Sequence, residues 1–304
     1  MVRVVFLGTP QAAVPTLALL EDAHDVGLVI TQPDRPKGRS KKPTPPPVKE
    51  FATARGLHVQ QPTNRGELAE IIQASGPFDV GVVVAYGRIL RSAVLQAPAH
   101  GLLNVHFSLL PRWRGAAPVA RALMAGDTMT GVTIMKLDQG LDTGPVLTAQ
   151  AIDIPETDDA GALTGRLARL GARLLVDVLP RYLSGELQPV PQSAEGLTYA
   201  EKIGREDRPI ARDADAASVV AKVRALAPSP AATLVIDDEP HKIYETRLTD
   251  FPVEPGTWRA IEGRPFAGFR DGAVELITLQ PPGRNPQSGA DWVNGRHSDR
   301  GLVS

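Results

Sequence analysis

The sequence has no cysteine among its 304 residues. This absence excludes disulfide bonds, thiolate metal ligands and a cysteine nucleophile, and it fits a reducing compartment. No apolar run approaches the ~20 residues that a bilayer-spanning helix needs. Residues 1–9 have the pattern of a first strand and are too short for a signal peptide. We therefore expect a cytoplasmic protein with no membrane partner.

Neither sign of charge is in excess, because 33 Lys and Arg face 34 Asp and Glu, for a net charge of −1. Any surface that attracts nucleic acid must therefore be local. No Gly-x-Gly-x-x-Gly follows the first strand, so a dinucleotide site is poorly supported. A hydrophobic content of 42% and a charged content of 22% are typical of a soluble globular chain. This length allows one large domain or two ordinary ones.

The pattern of apolar residues changes once along the chain. Through residue 188, apolar runs of strand length alternate with helical patterns, which predicts a Rossmann-like α/β domain with a mostly parallel sheet. Residues 189–204 show neither period and are predicted to be a linker. From residue 205, one helix precedes short alternating segments separated by Gly, Pro and Asp, which predicts a small β-barrel over residues 205–304.

Two local predictions concern helix ends in residues 1–188. Thr9 is predicted to cap a helix that has Pro10 at its first position. Pro180 lies near the end of a predicted helix over residues 159–183. It is expected to kink that helix or loosen its last turn.

A candidate reaction centre lies at the end of an apolar run near residue 106. Residues two apart on an extended backbone share a face, so the Asn104 amide and the His106 imidazole are expected side by side. An amide N–H and an imidazolium suit a developing oxyanion, and the ring can also move a proton. A structural Asn beside a hydrogen-bonded surface His is the alternative interpretation.

A second polar stretch, residues 138–144, joins two further apolar strands. Its Asp-x-Gly and Asp-Thr-Gly triplets are typical of tight turns. The functional interpretation is that the Asp142 carboxylate meets His106 and holds the imidazole charged and oriented. Spacing along the chain does not decide between these two interpretations.

Two nearby residues have rival interpretations of their own. His106 and Ser108 have the chemistry of a base and a nucleophile, but two positions apart on a strand is not the usual serine hydrolase arrangement. No Gly-x-Ser-x-Gly elbow exists in the chain either, so we disfavour a hydrolase. Trp113 could stack on a base or anchor its own loop.

Residues 32–49 are rich in proline, lack apolar periodicity and hold six basic residues against one acid, a net charge of +5. The segment is either an ordinary solvated loop or a loop that contacts phosphates. Long loops inside compact domains are more often functional than incidental. We therefore predict nucleic-acid contacts from Arg35, Lys37, Arg39, Lys41 and Lys42.

These motifs together resemble the folate-dependent formyltransferases, over most of the chain. The motifs Asn104-x-His-x-Ser-Leu-Leu-Pro-x-x-Arg-Gly115 and Asp138-x-Gly-Leu-Asp-Thr-Gly144 carry the likeness to the family as a whole. The motifs Phe6-Leu-Gly-Thr-Pro10 and Thr198-Tyr-Ala-x-Lys-Ile203 are typical of the branch that formylates methionyl-tRNA.

The resemblance implies a set of roles. Asn104, His106 and Asp142 would catalyse formyl transfer from 10-formyltetrahydrofolate without a metal. The basic segment would grip the acceptor end of initiator methionyl-tRNA, and the barrel would be an OB-like tRNA-binding domain, although its net charge is −2. A monomer is expected. The implied folate pocket consists of Arg88, Ile89, Leu90, Ser108, Leu109, Leu110 and Pro111.

Other functions share parts of this pattern. The same chemistry could act on a small amine, either an amino sugar nucleotide or glycinamide ribonucleotide, but neither would need the basic loop or a second domain. A formyltetrahydrofolate hydrolase would use water in place of the amine. A non-catalytic RNA-binding protein would not need Asn104, His106 and Asp142 together.

Overall fold

The computed structural model describes residues 1–36, 42–64 and 66–304. The chain divides into two compact units. The first comprises Met1–Pro118, Met129–Asp153 and Thr164–Ala200, and the second comprises Val119–Thr128, Ile154–Leu163 and Glu201–Ser304. Because these units interleave along the chain, they are of a different kind from the consecutive domains predicted above. The predicted borders at residues 188 and 205 therefore stay a prediction.

Strands and helices alternate through the first part of the chain, and strands dominate the last part. In chain order, the strands are β1 (Arg3–Gly8), β2 (Asp25–Ile30), β3 (Arg35–Pro36), β4 (Pro43–Thr44), β5 (Val59–Gln60), β6 (Val80–Val84), β7 (Leu102–His106), β8 (Arg114–Gly115), β9 (Met129–Lys136), β10 (Val146–Asp153), β11 (Tyr199–Ala200), β12 (Ala232–Ile236), β13 (Glu239–Thr249), β14 (Thr257–Ile261), β15 (Arg264–Phe269), β16 (Gly272–Gln280), β17 (Gln287–Ser288) and β18 (Arg300–Leu302). The helices are α1 (Val14–Ala23), α2 (Pro47–Ala54), α3 (Glu67–Ser75), α4 (Ser92–Leu95), α5 (Pro118–Met124), α6 (Ala160–Leu183), α7 (Ala216–Leu226) and α8 (Gly289–Asn294), with a 3-10 turn at Gln11–Ala13.

A seven-stranded sheet forms the centre of the first unit, in the order β10-β9-β7-β6-β1-β2-β5. The five strands from β7 to β5 are parallel, and β9 runs antiparallel to both of its neighbours. Strands β1, β6 and β7 are almost entirely buried. Continuous apolar runs suit strands that are covered on both faces. This is the Rossmann-like sheet that the sequence predicts.

The second unit is built on an antiparallel sheet in the order β12-β13-β16-β15-β14-β18. A bridge between Ile236 and Val303 connects the two ends of this series and curls the sheet into a half-barrel. Its interior holds Trp258, Trp292 and the apolar face of α7. The α/β sheet followed by an OB-like barrel confirms the predicted fold class. Strand β15 lies in a stretch for which the sequence predicted no strand.

The structure corrects the prediction for Thr9. Its side chain caps no helix, because α1 begins at Val14 after a 3-10 turn. The Thr9 hydroxyl instead donates to the carbonyl of Tyr86 at 3.2 Å and accepts from the Gln32 N–H at 3.4 Å. The residue therefore links the ends of neighbouring strands.

Pro180 leaves α6 continuous as far as Leu183. Its carbonyl accepts the Ser184 N–H at 2.9 Å, so the last turn is closed by a hydrogen bond. A proline near a helix end removes one intrahelical donor while the following turn can still form. No helix in the described part of the chain is long and apolar enough to cross a membrane.

A buried histidine occupies the core of the second unit. His241 accepts the indole N–H of Trp292 on Nε2 at 3.2 Å, and its Nδ1–H donates to the carbonyl of Glu239 at 2.9 Å. This arrangement fits the neutral ring, because one nitrogen accepts while the other donates. Burial lowers the pKa of His241 below its usual value.

The lowered pKa predicts acid sensitivity of folding. As pH falls below ~6.5, the unfolded chain takes up a proton at His241 while the folded chain resists it. The contribution of neutral His241 to the free energy of unfolding is therefore fully present above that pH and is lost progressively below it. The loss from this residue should reach at most about 1.4 kcal/mol one pH unit lower. Urea unfolding followed by tryptophan fluorescence at pH 7.5 and 5.5 measures it. The variant His241→Gln should lose less stability over this pH interval, and an identical loss would contradict the prediction.

Candidate active site

The last residues of β7 bring two polar side chains into a buried position. Asn104 and His106 alternate with Leu103 and Val105 along the strand, and they are only 9% and 5% exposed. Side chains at alternate positions point to the same face of the sheet. Because β7 lies between β6 and β9, its ladder fixes the separation of the amide and the ring.

The loop between β9 and β10 brings the carboxylate of Asp142 to this pair. Its Oδ1 accepts from Asn104 Nδ2 at 3.4 Å, and its Oδ2 lies 3.7 Å from His106 Nδ1. The backbone N–H of Gly115 also donates to Oδ2, at 2.9 Å. The carboxylate is thus surrounded by three nitrogen atoms from different parts of the chain, two of which donate hydrogen bonds to it.

The second ring nitrogen of His106 has a fixed partner. Nε2 lies 2.9 Å from the carbonyl oxygen of Trp113, and a carbonyl can only accept, so Nε2 carries the proton. The other nitrogen, Nδ1, faces Asp142. A hydrogen bond to one ring nitrogen sets the role of the other.

The backbone around this centre is strained. Trp113 and Asp142 adopt left-handed φ angles of 61° and 52°, and Ala85, directly after β6, has φ 46°. Such conformations are uncommon for residues other than glycine and cluster at functional sites. A Cβ on Gly144 would meet the Lys136 carbonyl oxygen at 1.9 Å, so only glycine allows this turn. The two acids of the loop differ, because Asp138 accepts from Gly140 and Thr143 and so stabilises the turn.

The arrangement can stabilise developing negative charge and move a proton. An amide NH₂ has two donors, so the Asn104 bond to Asp142 leaves a second N–H for another acceptor. The His106 Nδ1 and the Asp142 carboxylate face each other at a distance that allows a charged pair. An oxyanion placed beside the amide and the ring would be stabilised by both.

The loop after β7 holds the predicted pocket residues Ser108, Leu109, Leu110 and Pro111. The Ser108 hydroxyl is buried and donates to the carbonyl of Arg112 at 2.6 Å. The Thr133 hydroxyl donates to the Ser108 carbonyl at 2.7 Å and accepts the Leu110 N–H at 3.1 Å. With its hydroxyl bound to Arg112, Ser108 is poorly placed to act as a nucleophile, which argues against the hydrolase interpretation. Arg112 stacks on Trp113 at 4.4 Å, as a loop anchor would.

The other predicted pocket residues follow the neighbouring strand β6. The Arg88 guanidinium donates to the Pro62 carbonyl at 3.1 Å, Leu90 packs partly against the core, and Ile89 is 75% exposed. Because β6 and β7 are adjacent and parallel, both loops leave the same edge of the sheet. Tyr86, in the loop after β6, is buried, and burial raises the pKa of its phenol.

Side-chain contacts connect Asp34 and Lys49, the two residues that flank the base of the basic segment, to each other and to Gln61. Lys49 donates to both oxygens of Asp34, at 2.8 and 2.9 Å, and Gln61 bonds to both residues. These bonds hold the pKa of Asp34 below its usual value, with the Lys49 ammonium as the largest cause. Arg35 lies in β3, which pairs with β4, and Lys42 directly precedes β4. The predicted contacts Lys37, Arg39 and Lys41 lie outside the described residues.

The barrel carries a local basic row despite its net negative charge. Five residues lie directly opposite one another on adjacent strands and therefore share one face of the sheet: Arg247 on β13, Glu275 on β16, Phe266 on β15, Arg259 on β14 and Arg300 on β18. Arg264 lies two positions before Phe266 on β15, on the same face. Glu275 pairs with Arg247 and Arg264, and Arg259 and Arg300 are exposed. We call this set the barrel row; it consists of Arg247, Glu275, Phe266, Arg259, Arg300 and Arg264.

Two residues that hold the site in place, Gln192 and Thr198, are not among those predicted from the sequence. Gln192 donates to the Asp142 carbonyl at 2.8 Å, and the Thr198 hydroxyl accepts the Trp113 N–H at 2.9 Å. Both lie in the segment predicted as a linker. The only signal was the motif that begins at Thr198, which gave a family likeness but no role.

Comparison with known proteins identifies the family. The family model for formyl transferase matches residues 2–179, and the model for the formyl transferase C-terminal domain matches residues 202–297. This chain belongs to the formyl transferase family. The match places Asn104, His106 and Asp142 inside the first formyl transferase domain.

Relatives match this formyl transferase over nearly all of its length. A methionyl-tRNA formyltransferase of Halorhodospira halophila is 48% identical over 299 residues, covering 97% of this chain and 96% of that protein. One from Aromatoleum aromaticum is 47% identical over 296 residues, covering 96% of this chain and 94% of that protein.

Solved structures of more distant proteins share the fold. WlaRD, a sugar 3N-formyl transferase crystallised with dTDP and 5-N-formyl-THF, superposes with a TM-score of 0.70 at 17% identity, covering 94% of this chain and 99% of its own. An N-formyltransferase from Helicobacter canadensis, in complex with folinic acid and dTDP-3-aminofucose, gives 0.68 at 19% identity, with coverages of 92% and 100%. At this level of identity the likeness concerns the fold alone.

Proposed function

We propose that this formyl transferase moves the formyl group of 10-formyltetrahydrofolate to the α-amino group of initiator methionyl-tRNA. The observation that carries the proposal is the match along both domains. Relatives named methionyl-tRNA formyltransferase are 42–48% identical over 96–99% of this chain. The fold likeness to sugar formyl transferases is far weaker in sequence, at 17–19% identity.

The proposed chemistry is a direct transfer. The amine nitrogen attacks the formyl carbon, and the carbonyl oxygen becomes an oxyanion. The bond from the amine nitrogen to the formyl carbon forms first, and collapse of the oxyanion then breaks the bond from the formyl carbon to N10 of the folate. The amine loses one proton and N10 gains one, so the protons balance without a covalent enzyme intermediate.

The three central side chains have complementary parts in this scheme. The free N–H of Asn104 donates to the oxyanion. His106, whose Nε2–H is held by Trp113, uses Nδ1 to donate beside it and to protonate the leaving nitrogen. The Asp142 carboxylate orients the ring through its 3.7 Å contact with Nδ1 and takes the proton of the attacking amine, directly or through water. No group of three or more His, Asp or Glu side chains in the described ranges is arranged to hold a metal.

The proposed folate pocket lies along the edge of the sheet where β6 and β7 end. Ile89 offers an exposed apolar side chain to a flat ring. The backbone of residues 88–90 would supply hydrogen-bonding groups to the edge of that ring, and residues 108–111 would shape the cleft. The Ser108 hydroxyl already donates to the Arg112 carbonyl, so Ser108 would contribute to the shape of the pocket and not a hydrogen bond to the folate.

For the tRNA we propose two phosphate-contacting surfaces, one on each unit. Arg35 and Lys42 extend from a base fixed by the Asp34–Lys49 pair, and Lys37, Arg39 and Lys41 belong to the same segment of sequence. The barrel row supplies exposed arginines on the second unit. Arginine and lysine contacts to phosphates position a nucleic acid without reading its sequence. We also propose that the protein acts in the cytoplasm, where the substrate is used. The monomeric state stays a prediction.

An acceptor comparison tests the proposed function. Labelled formyl transfer from 10-formyltetrahydrofolate is measured with methionyl-tRNA, uncharged tRNA, free methionine, a dTDP-amino sugar and glycinamide ribonucleotide. Transfer should occur to methionyl-tRNA and be at background with the others. Transfer to a small amine in preference to methionyl-tRNA would overturn the proposal in favour of a small-acceptor enzyme.

Salt dependence tests the phosphate contacts. The slope of log affinity for methionyl-tRNA against log salt should decrease by about 0.7–0.9 for each phosphate contact removed by Arg35→Ala or Lys42→Ala. The affinity is measured by filter binding between 50 and 200 mM salt. Arg173→Ala, an exposed arginine on α6, is the matched control and should leave the slope unchanged. Equal slopes in all four proteins would contradict the assignment.

A further inference from the structure

Residues 190–200 form a segment that neither family model covers. The models end at residue 179 and resume at residue 202. The segment has no regular structure except β11 at its end. Its start is fixed by two backbone hydrogen bonds between Val190 and Val146, each 2.8 Å. We call residues 190–200 the strap.

The Gln192 side chain connects the strap to the Asp142 turn. Its Nε2 donates to the carbonyls of Asp142 and Gly144, each at 2.8 Å. Its Oε1 accepts from Nε and Nη2 of Arg114 at 3.0 and 2.7 Å. An amide has two donors and two acceptor sites, so this side chain is fully used. It holds Asp142 in a left-handed conformation that the residue does not prefer by itself.

Thr198 connects the strap to the ring of His106 through one intermediate residue. Its hydroxyl accepts the Trp113 N–H at 2.9 Å, and its carbonyl accepts the Arg114 N–H at 2.9 Å. Trp113 has a left-handed φ, and its carbonyl accepts from His106 Nε2. The bonds from Thr198 therefore fix the carbonyl that orients the ring.

The backbone at the end of the strap contacts the backbone of residues 115–116 directly. The Ala200 carbonyl accepts the Ala116 N–H at 2.8 Å, and a Cβ on Gly115 would lie 2.6 Å from that carbonyl oxygen. Gly115 has φ 126°, and its N–H donates to the Asp142 carboxylate. A side chain there would push the loop away from Asp142.

We propose that the strap positions the reacting groups, with Gln192 acting on the Asp142 carboxylate and Thr198 on the His106 imidazole. Gln192 bonds to the backbone carbonyl of Asp142, and Thr198 reaches His106 through Trp113. Both are therefore positioning residues. The proposal rests on the function proposed above. A displacement of reacting groups by about 1 Å can cost ~10²-fold in rate while substrate contacts elsewhere persist.

Kinetics of strap variants test the proposal. Gln192→Leu and Thr198→Val should lower kcat for methionyl-tRNA formylation by roughly 10- to 100-fold and leave both KM values within about threefold. Thr198→Ser keeps the hydroxyl and should restore most of kcat. The control Gln188→Leu alters an exposed glutamine whose side chain donates to the Gly185 carbonyl, and kcat should stay normal. Normal kcat in Gln192→Leu and Thr198→Val would overturn the proposal.

A spectroscopic measurement decides the same question without turnover. In the full chain labelled with ¹⁵N-histidine, the His106 Nε2–H signal, assigned by its loss in His106→Asn, reports the bond to Trp113. We expect it to shift or exchange away in Thr198→Val and persist in Thr198→Ser, with circular dichroism showing both folded. An unaltered signal in a folded Thr198→Val variant would refute the positioning role proposed for the strap. An inactive wild type with the expected signals would instead refute the proposed function alone.

Discussion

The site depends on the placement of one carboxylate. Asp142 comes from a loop between antiparallel strands and must reach two side chains on the parallel strand β7, within 3.4 Å of Asn104 and 3.7 Å of His106. It does so with a left-handed backbone, against a turn that tolerates only glycine at Gly144. Such a conformation costs on the order of 1–3 kcal/mol and persists only when surrounding bonds hold it. The Gly115 N–H and the Gln192 amide supply those bonds.

Much of the fold follows from local patterns. Strands β1, β6 and β7 were predictable because continuous apolar runs are the mark of strands buried on both faces. The Thr9 prediction was wrong because the hydroxyl met a stronger tertiary option, the Tyr86 carbonyl on a neighbouring strand end, and the helix started later. Strand β15 was missed because its Pro265 and Gly268 are typical of turns, whereas both are buried within the sheet.

The site was predictable only in part. The pairing of Asn104 with His106 follows from the two-residue period of a strand, and the motifs pointed to Asp142. The roles of Gln192 and Thr198 do not follow, because a glutamine amide has no preferred partner until the chain folds around it. Lys49 was counted with the basic segment, yet its charge is matched by Asp34. Side-chain partners distant in sequence are the part that a single sequence leaves open.

The proposed transfer depends on the charge of Asp142, which Asp142→Asn removes while keeping the shape of the side chain. Single-turnover formyl transfer to methionyl-tRNA is measured for the wild type and Asp142→Asn, with equilibrium binding of 10-formyltetrahydrofolate as the second readout. We expect a rate at least ~10²-fold lower with folate binding retained, since proton transfer loses its acceptor. A near-normal rate in the folded variant would contradict it.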